Sequence, residues 1–236
     1  MQLKIEKPDR QTELLIKKNW DRVAKPLDGL GDFEELLARI GAILRTTEID
    51  ISKKAVIVMC ADNGIVEEGI SQSGQEVTAA VTENLGKRNT SVCKMAKAAG
   101  ADILPVDIGV NTEQTFPGVM NRKIRRGTKN FLIQPAMTEN EARQAILVGM
   151  DCVKECKDAG YTLLGTGEMG IGNTTTSAAM AAALLSCEPD LVTGRGAGLS
   201  DEGLQRKRKV IKAALEKYQL KASEPMEILC TVGGLD

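Results

Sequence analysis

The sequence predicts an α/β fold, a doubly wound, mostly parallel, Rossmann-like sheet with a small helical domain from the N-terminus. Three observations predict it. Ala55-Val-Ile-Val-Met-Cys60 is a continuous apolar run ending in Asp62-Asn63-Gly64, the pattern of a strand buried on both faces. Short apolar runs then alternate with stretches of helical period as far as Val232. The first fifty residues stand outside that alternation and have helical period only. The expected division is 1–50, the N-terminal helical part of a small domain, and 51–236, a large α/β domain incomplete at its C-terminal end.

In chain order, residues 10–47 read as helices linked by the turn-rich Pro26–Gly31. Asp32 and Glu35 have the spacing of a helix-start box ahead of Phe33, Leu36, Leu37, Ile40, Ile43 and Leu44. After the first strand, residues 76–99 read as one helix. Asp102–Gly109 reads as a second strand, with Pro105 weighing against a central place in the sheet. Residues 111–137 are polar, with Pro117 and Pro135, and read as a long loop with short elements. Thr138 and Glu141 form a capping-box signature for a helix to about residue 158. Tyr161–Leu164 is a third strand, followed by a Gly-rich turn and an Ala-rich helix over 174–186. Asp190–Thr193 is a fourth strand, a basic helix covers 202–217, and Met226–Val232 is a last strand.

Composition narrows the function. The chain of 236 residues is 42% hydrophobic, enough for a sizeable core, but only 3% aromatic. Its 31 basic and 32 acidic residues leave a net charge of −1, which argues against a broad nucleic-acid or acidic-membrane surface. There is no histidine, so Ser-His-Asp hydrolases and His-rich metal enzymes are excluded. The six cysteines contain no Cys-x-x-Cys pair and read as small core residues of a reducing compartment. Met95, Met137, Met150 and Met180 read as core filler. No secretory leader or membrane-length apolar run is evident, so a soluble cytoplasmic protein is expected.

Ligands of such sheets gather at the C-terminal strand ends. The richest turn is Gly165-Thr-Gly-Glu-Met-Gly-Ile-Gly-Asn-Thr-Thr-Thr176. Its glycines let backbone N–H groups approach an anion, and the following helix would direct its positive end there. Gly165, Gly167 and Gly170 also have dinucleotide-binding spacing, but Glu168 inside the loop would repel a pyrophosphate. The bland alternative is a tight turn with Glu168 solvated. Gly194-Arg-Gly-Ala-Gly198 is a second possible cradle, and Arg206–Lys209 could supply a charge partner or simply form a solvated face. Arg122–Arg126 reads as surface. Asp62 and Asp107 can equally cap the next loop or orient a ribose hydroxyl. From the residues alone, the domain binds a small phosphomonoester with Glu168 nearby.

Glu168-Met-Gly-Ile-Gly-Asn-Thr-Thr175 resembles the signature of the nicotinate-nucleotide:dimethylbenzimidazole phosphoribosyltransferases. Colinear segments resemble that family too: Lys25–Gly31, Cys60–Gly64 with Glu68-Gly69 and Val77-Thr78, Val106–Val110, Gly127–Asn130 with Pro135–Met137, Gly194–Leu199 and Val232–Gly234. The resemblance implies transfer of phosphoribose from nicotinate mononucleotide to an aromatic lower-ligand base such as 5,6-dimethylbenzimidazole, in cobamide biosynthesis. It implies no metal, no cofactor, no nucleic-acid or membrane partner, and a homodimer. Gly170, Ile171, Gly172, Asn173, Thr174, Gly196, Ala197 and Gly198 would hold the phosphate and ribose, with Lys207 as charge partner. Ser73 and Met169 would line the base pocket, and Glu168 would stand beside the reacting centre. Asn63 stands where the family commonly has His, and Gly29 where Ser is usual. The family's general-base Glu belongs to a later Leu-Gly-Glu-Gly motif beyond Asp236, so these residues alone are expected to turn over little. The competing readings are a non-catalytic nucleotide-binding subunit or fragment, and an NAD-binding oxidoreductase using Gly165–Gly170 with Glu188 as the ribose acid.

Overall fold

The computed structural model describes residues 5–220 and 224–236. The chain divides into two compact units, the first ending at Ser52 and the second running Lys53–Asp236.

The first unit holds α1 (Arg10–Trp20) and α2 (Asp32–Leu44). Asp9 caps α1, its carboxylate accepting the N–H groups of Gln11 and Thr12. The start box expected from Asp32 and Glu35 does not form. Gly31, at φ 56, turns the chain into α2 without a side-chain cap, and Glu34 folds back to accept the Leu30 N–H at 2.9 Å and pair with Lys25 at 2.8 Å.

The second unit is built on a parallel sheet in the order β3-β2-β1-β4: β1 (Lys54–Ala61), β2 (Ala101–Gly109), β3 (Met120–Asn121) and β4 (Leu163–Met169). Alternate residues of β1 serve opposite faces, as the strand period requires. Val58 and Cys60 pack with Leu85, Cys93 and Ala96 of α3 (Glu76–Gly86) and α4 (Ser91–Ala98). Ile57 packs with Cys152 and Cys156 of α5 (Glu139–Asp158). Helices on both faces make the sheet doubly wound, as predicted. The remaining helices are α6 (Asn173–Leu185), α7 (Asp201–Tyr218) and α8 (Pro225–Val232), which share a core with Ile65, Phe131 and Leu235.

Several boundaries differ from the sequence reading. The single helix over 76–99 is two, broken where Arg88 takes φ 60 and Thr90 caps α4. Pro105 lies in an interior strand after all. Asp107 accepts from Arg122 on the β3 side, and Pro105 faces the same side, below the point where β3 begins opposite Val106. No described strand needs the N–H that proline lacks. Strand β4 runs past Leu164 to Met169, so Gly165 and Gly167 lie within it, each 3.4 Å at its missing Cβ from Val56 or Val58. Their spacing reflects close strand packing, and the dinucleotide reading loses its loop. Asp190–Thr193 is not a strand: Pro189 opens a 3-10 turn, and Thr193 Oγ1 donates back to the Pro189 carbonyl at 2.6 Å. Met226–Val232 is helical. Pro225 starts α8, and Ile228 and Val232, one turn apart, carry its buried face. Met95 is 72% exposed rather than core. In the basic run, Lys123 and Arg125 are largely covered and pair with Asp107 and Glu141.

Gly64, just beyond β1, packs directly on the backbone of the 128–130 segment. A Cβ there would stand 2.6 Å from the Lys129 carbonyl carbon and 2.7 Å from the Asn130 nitrogen. Replacing Gly64 with Ala is expected to lower the unfolding free energy by about 1–3 kcal/mol in urea denaturation.

Candidate active site

The site begins where β4 leaves the sheet. Gly170-Ile171-Gly172 turns the chain into α6. At Gly172 the backbone takes φ 96, and a Cβ would lie 2.8 Å from Val66 Cγ2 and 3.1 Å from Asn63 Cβ, so a side chain is excluded by both conformation and space. No side chain caps α6, which leaves its positive end directed at this turn. Thr78 Oγ1 holds the Ile171 N–H at 3.1 Å.

Gly170–Thr174 lines one pocket together with Ile70–Gln72, Arg195–Ala197 and Leu199. The two expected phosphate loops therefore meet. Gly198 is not on the lining, but its carbonyl accepts from Gln72 Nε2, which ties the loop to the opposite wall. Arg206 Nη1 fixes the start of that wall by donating to the Gly69 carbonyl at 3.1 Å. Arg195 donates to the Leu199 carbonyl at 2.9 Å and is ion-paired with Asp201.

Behind the pocket stands Lys207 of α7, only 1% exposed. Its Nζ donates to Thr174 Oγ1 at 2.7 Å. A Cβ on Gly196 would lie 2.8 Å from that hydroxyl and 3.6 Å from the ammonium, so glycine opens the approach to both. No carboxylate among the described residues pairs with Lys207. Burial lowers its pKa to about 8. A buried cation without an internal counter-charge is unfavourable, and an anion in the adjoining pocket would compensate it.

Glu168 is the penultimate residue of β4. Its carboxylate accepts from Asn173 Nδ2, and partial burial raises its pKa above the ordinary glutamate value. It stands at the same sheet end as the pocket but is not part of the lining. Met169 points to the opposite face, against the Val58–Cys60 cluster. Ser73 is half-buried, with its N–H on Ser71 Oγ at 3.3 Å. The structure thus does not place Ser73 or Met169 on the pocket. Asp62 and Asp107 act as loop caps: Asp62 Oδ2 accepts the Asn111 N–H at 2.7 Å, and Asp107 Oδ1 the Val110 N–H at 2.9 Å. Among the described residues, no cluster of three or more His, Cys, Asp and Glu side chains is arranged to hold a metal, and no helix is long and apolar enough to cross a membrane.

Sequence reasoning missed Gln72 and Arg195. Arg195 lies inside the Gly194–Gly198 loop but was masked by its glycines, while Gln72 sits in Ser71-Gln72-Ser73, whose only signal is the flanking Gly69 and Gly74. Asn63 and Asp236 were also missed as a contact, because they are far apart in the chain.

Lys207 carries a pH signature. Its pKa is lower folded than unfolded, so the unfolded chain binds more protons between about pH 8 and 10.5, and stability should rise with pH across that window. Lys207→Met is expected to abolish that rise and to leave the empty protein as stable or more stable at pH 7, measured by thermal unfolding. Parallel pH profiles for the two proteins would refute a buried, uncompensated ammonium.

A family model described as phosphoribosyltransferase matches residues 5–236. A nicotinate-nucleotide–dimethylbenzimidazole phosphoribosyltransferase of Clostridium perfringens is 41% identical over 232 residues, covering 98% of this chain and 64% of the relative. The enzyme of the same name from Acetivibrio thermocellus is 45% identical over 222 residues, covering 94% and 63%. The crystal structure of CobT from Thermus thermophilus superposes with a TM-score of 0.90 at 38% identity, covering 95% of this chain and 68% of that one. The chain thus spans somewhat under two thirds of the length of these curated relatives. On a match running through both units and both pocket loops, the chain belongs to the phosphoribosyltransferase family.

Proposed function

We propose that the chain serves phosphoribosyl transfer from nicotinate mononucleotide to a lower-ligand base such as 5,6-dimethylbenzimidazole, yielding an α-ribazole-phosphate-type nucleotide and nicotinate in cobalamin or cobamide biosynthesis. The observation that carries this reading is the buried, acid-free ammonium of Lys207 behind two glycine loops. It fits a phosphomonoester, and the names of the relatives supply the nucleotide and base.

In this reading the 5′-phosphate rests on Gly170–Thr174 and Gly196–Gly198, against Lys207. The ribose then projects toward the end of β4, and Glu168 stands beside its anomeric carbon. A base nitrogen attacks that carbon from the face opposite nicotinate. The bond to the nicotinate nitrogen breaks with its electron pair, and the proton on the other ring nitrogen of the incoming base passes to the general-base glutamate that the family resemblance places beyond Asp236. The Glu168 carboxylate offsets positive charge developing on the sugar, while two-substrate binding supplies orientation. Ser73 and Met169 are assigned to the base side as a proposal from family resemblance. The assembly is a cytoplasmic homodimer in the same proposal.

Binding tests the reading independently of turnover. Nicotinate mononucleotide is expected to bind in calorimetry and protect against unfolding, whereas NAD should give weaker protection. Lys207→Met should weaken mononucleotide binding by about 10–100-fold, the worth of one charge-assisted hydrogen bond. Equal binding by the variant, or protection by NAD alone, would overturn the reading.

A further inference from the structure

Beyond the pocket lining, the most unusual chemistry lies where β1 and β4 end together. Asn63 is fully buried, yet neither Nδ2 nor Oδ1 has a hydrogen-bond partner of ordinary geometry, and Asp236 Oδ2 is likewise buried and unpaired. Buried polar atoms without partners are rare, and an amide with both ends unsatisfied is costly. The two side chains border the same two glycines, Gly170 and Gly234. The point where a Gly170 Cβ would stand touches Asp236 Oδ2 and is 3.0 Å from Asn63 Nδ2. The corresponding point at Gly234 touches Asp236 Oδ1 and is 2.9 Å from Asn63 Oδ1. Oδ2 and the amide nitrogen thus border one of these points, and Oδ1 and the amide oxygen the other.

An ionised carboxylate can satisfy only half of this arrangement, because it has no proton for Asn63 Oδ1. A neutral acid satisfies all of it: Oδ2 accepts from Asn63 Nδ2, and the proton on Oδ1 is donated to Asn63 Oδ1. We propose that Asp236, as a neutral carboxylic acid, forms a two-point pair with the Asn63 amide, and that this pair positions the Gly170–Gly172 turn of the pocket. The turn is held between the partners. Asn63 Cβ lies 3.1 Å from the missing Cβ of Gly172, and Asp236 lies against Gly170. Neither residue is assigned a contact with substrate; both act through the turn. The pocket's ligand rests on the proposed function, whereas the pair itself does not.

The surroundings favour the neutral acid. Glu168 of β4 and Asp62 beyond β1 both raise the Asp236 pKa, whereas hydrogen bonds from its own backbone and from the Asn63 amide lower it, and burial outweighs both. Cys60 of β1 is held as a thiol, its pKa pushed up to about 12 by burial. Burial is the largest cause of the Asp236 shift, to about 7.

Two readouts separate the pair from its consequence. The first is thermal unfolding of the wild-type chain and of Asp236→Asn between pH 5 and 8.5. The asparagine variant keeps one donor and one acceptor without a titrating proton. The acid binds more protons folded than unfolded between about pH 4 and 7, so wild type should lose stability relative to the variant as pH rises toward 7, by roughly 3 °C per pH unit, and then run parallel to it. Asp236→Ala should be less stable than Asp236→Asn throughout. The pair is refuted if Asp236→Asn and wild type run parallel from pH 5, or if the Asn and Ala variants are equally destabilised. The second readout is sulfate affinity, a probe that stays dianionic across this range. Wild-type affinity should fall severalfold through pH 7, ahead of the Lys207 transition, and Asp236→Asn should show only the later fall. If sulfate binds with identical pH dependence to both proteins, the positioning role fails. If it binds neither at any pH, the phosphate reading fails, and the unfolding comparison still decides the pair.

Discussion

The ammonium of Lys207 sets the terms on which the pocket is built. A charged group this deeply buried must find compensation or give up its proton, and Thr174 Oγ1 alone supplies only one hydrogen bond. The surrounding sequence choices answer that constraint. Gly196 removes the side chain that would block the hydroxyl and ammonium, and Gly172 lets the chain turn so that α6 presents its positive end there. Helix end and ammonium then address the same volume, and both favour one kind of occupant. The other cations nearby are already committed, Arg195 to Asp201 and Arg206 to the Gly69 carbonyl. The ammonium beneath Gly196 is thereby the cation aimed into the pocket, which suits a single phosphate group.

The sheet supplies the rigidity this arrangement needs. β1 is hydrogen-bonded on both sides, and its end delivers Asn63 to a fixed place beside the turn after β4. Gly165 and Gly167 allow β4 to lie close against Val56 and Val58, so the turn inherits its position from the core. The opposite wall, Ile70–Gln72, has Ile70 buried as an anchor; Arg206 of α7 donates to the Gly69 carbonyl at its start, and its own Gln72 side chain donates to the Gly198 carbonyl at its end. Two or three hydrogen bonds thus close the pocket, while packing places it.

The sequence disclosed the architecture because burial on both faces leaves a continuous apolar run, as in Ala55–Cys60, and because capping chemistry is local, as at Thr138 and Glu141. The same rule misled at Met226–Val232. An apolar run of seven fits a buried strand or a short buried helix equally, and Pro225 was the sign that favoured the helix. The glycines at 165 and 167 were misassigned because a residue without a side chain signals close approach, without saying whether a ligand or a neighbouring strand approaches. Both phosphate loops were legible as glycine-rich strand ends. The residues offered Lys207 as one of four basic candidates, and only family resemblance singled it out, since its burial depends on α7 packing that a basic helix conceals. The contact of Asn63 with Asp236 had no local signature at all.

Lys207 and Asp236 solve the problem of a buried ionisable group in opposite ways, at opposite ends of one five-residue stretch. Near Thr174 the charge is retained and its counter-ion must come from outside, so the fold leaves an opening. Near Gly170 the surrounding acids make a further negative charge unfavourable, so the group is held neutral and the space is closed by an amide. A direct ion pair between these two residues would have filled the need of both and left nothing for a ligand. Gly170–Thr174 keeps them on separate sides. The stretch therefore separates a cation that requires an external anion from an acid that requires only a proton, and that separation makes the strand end a binding site rather than a buried salt bridge.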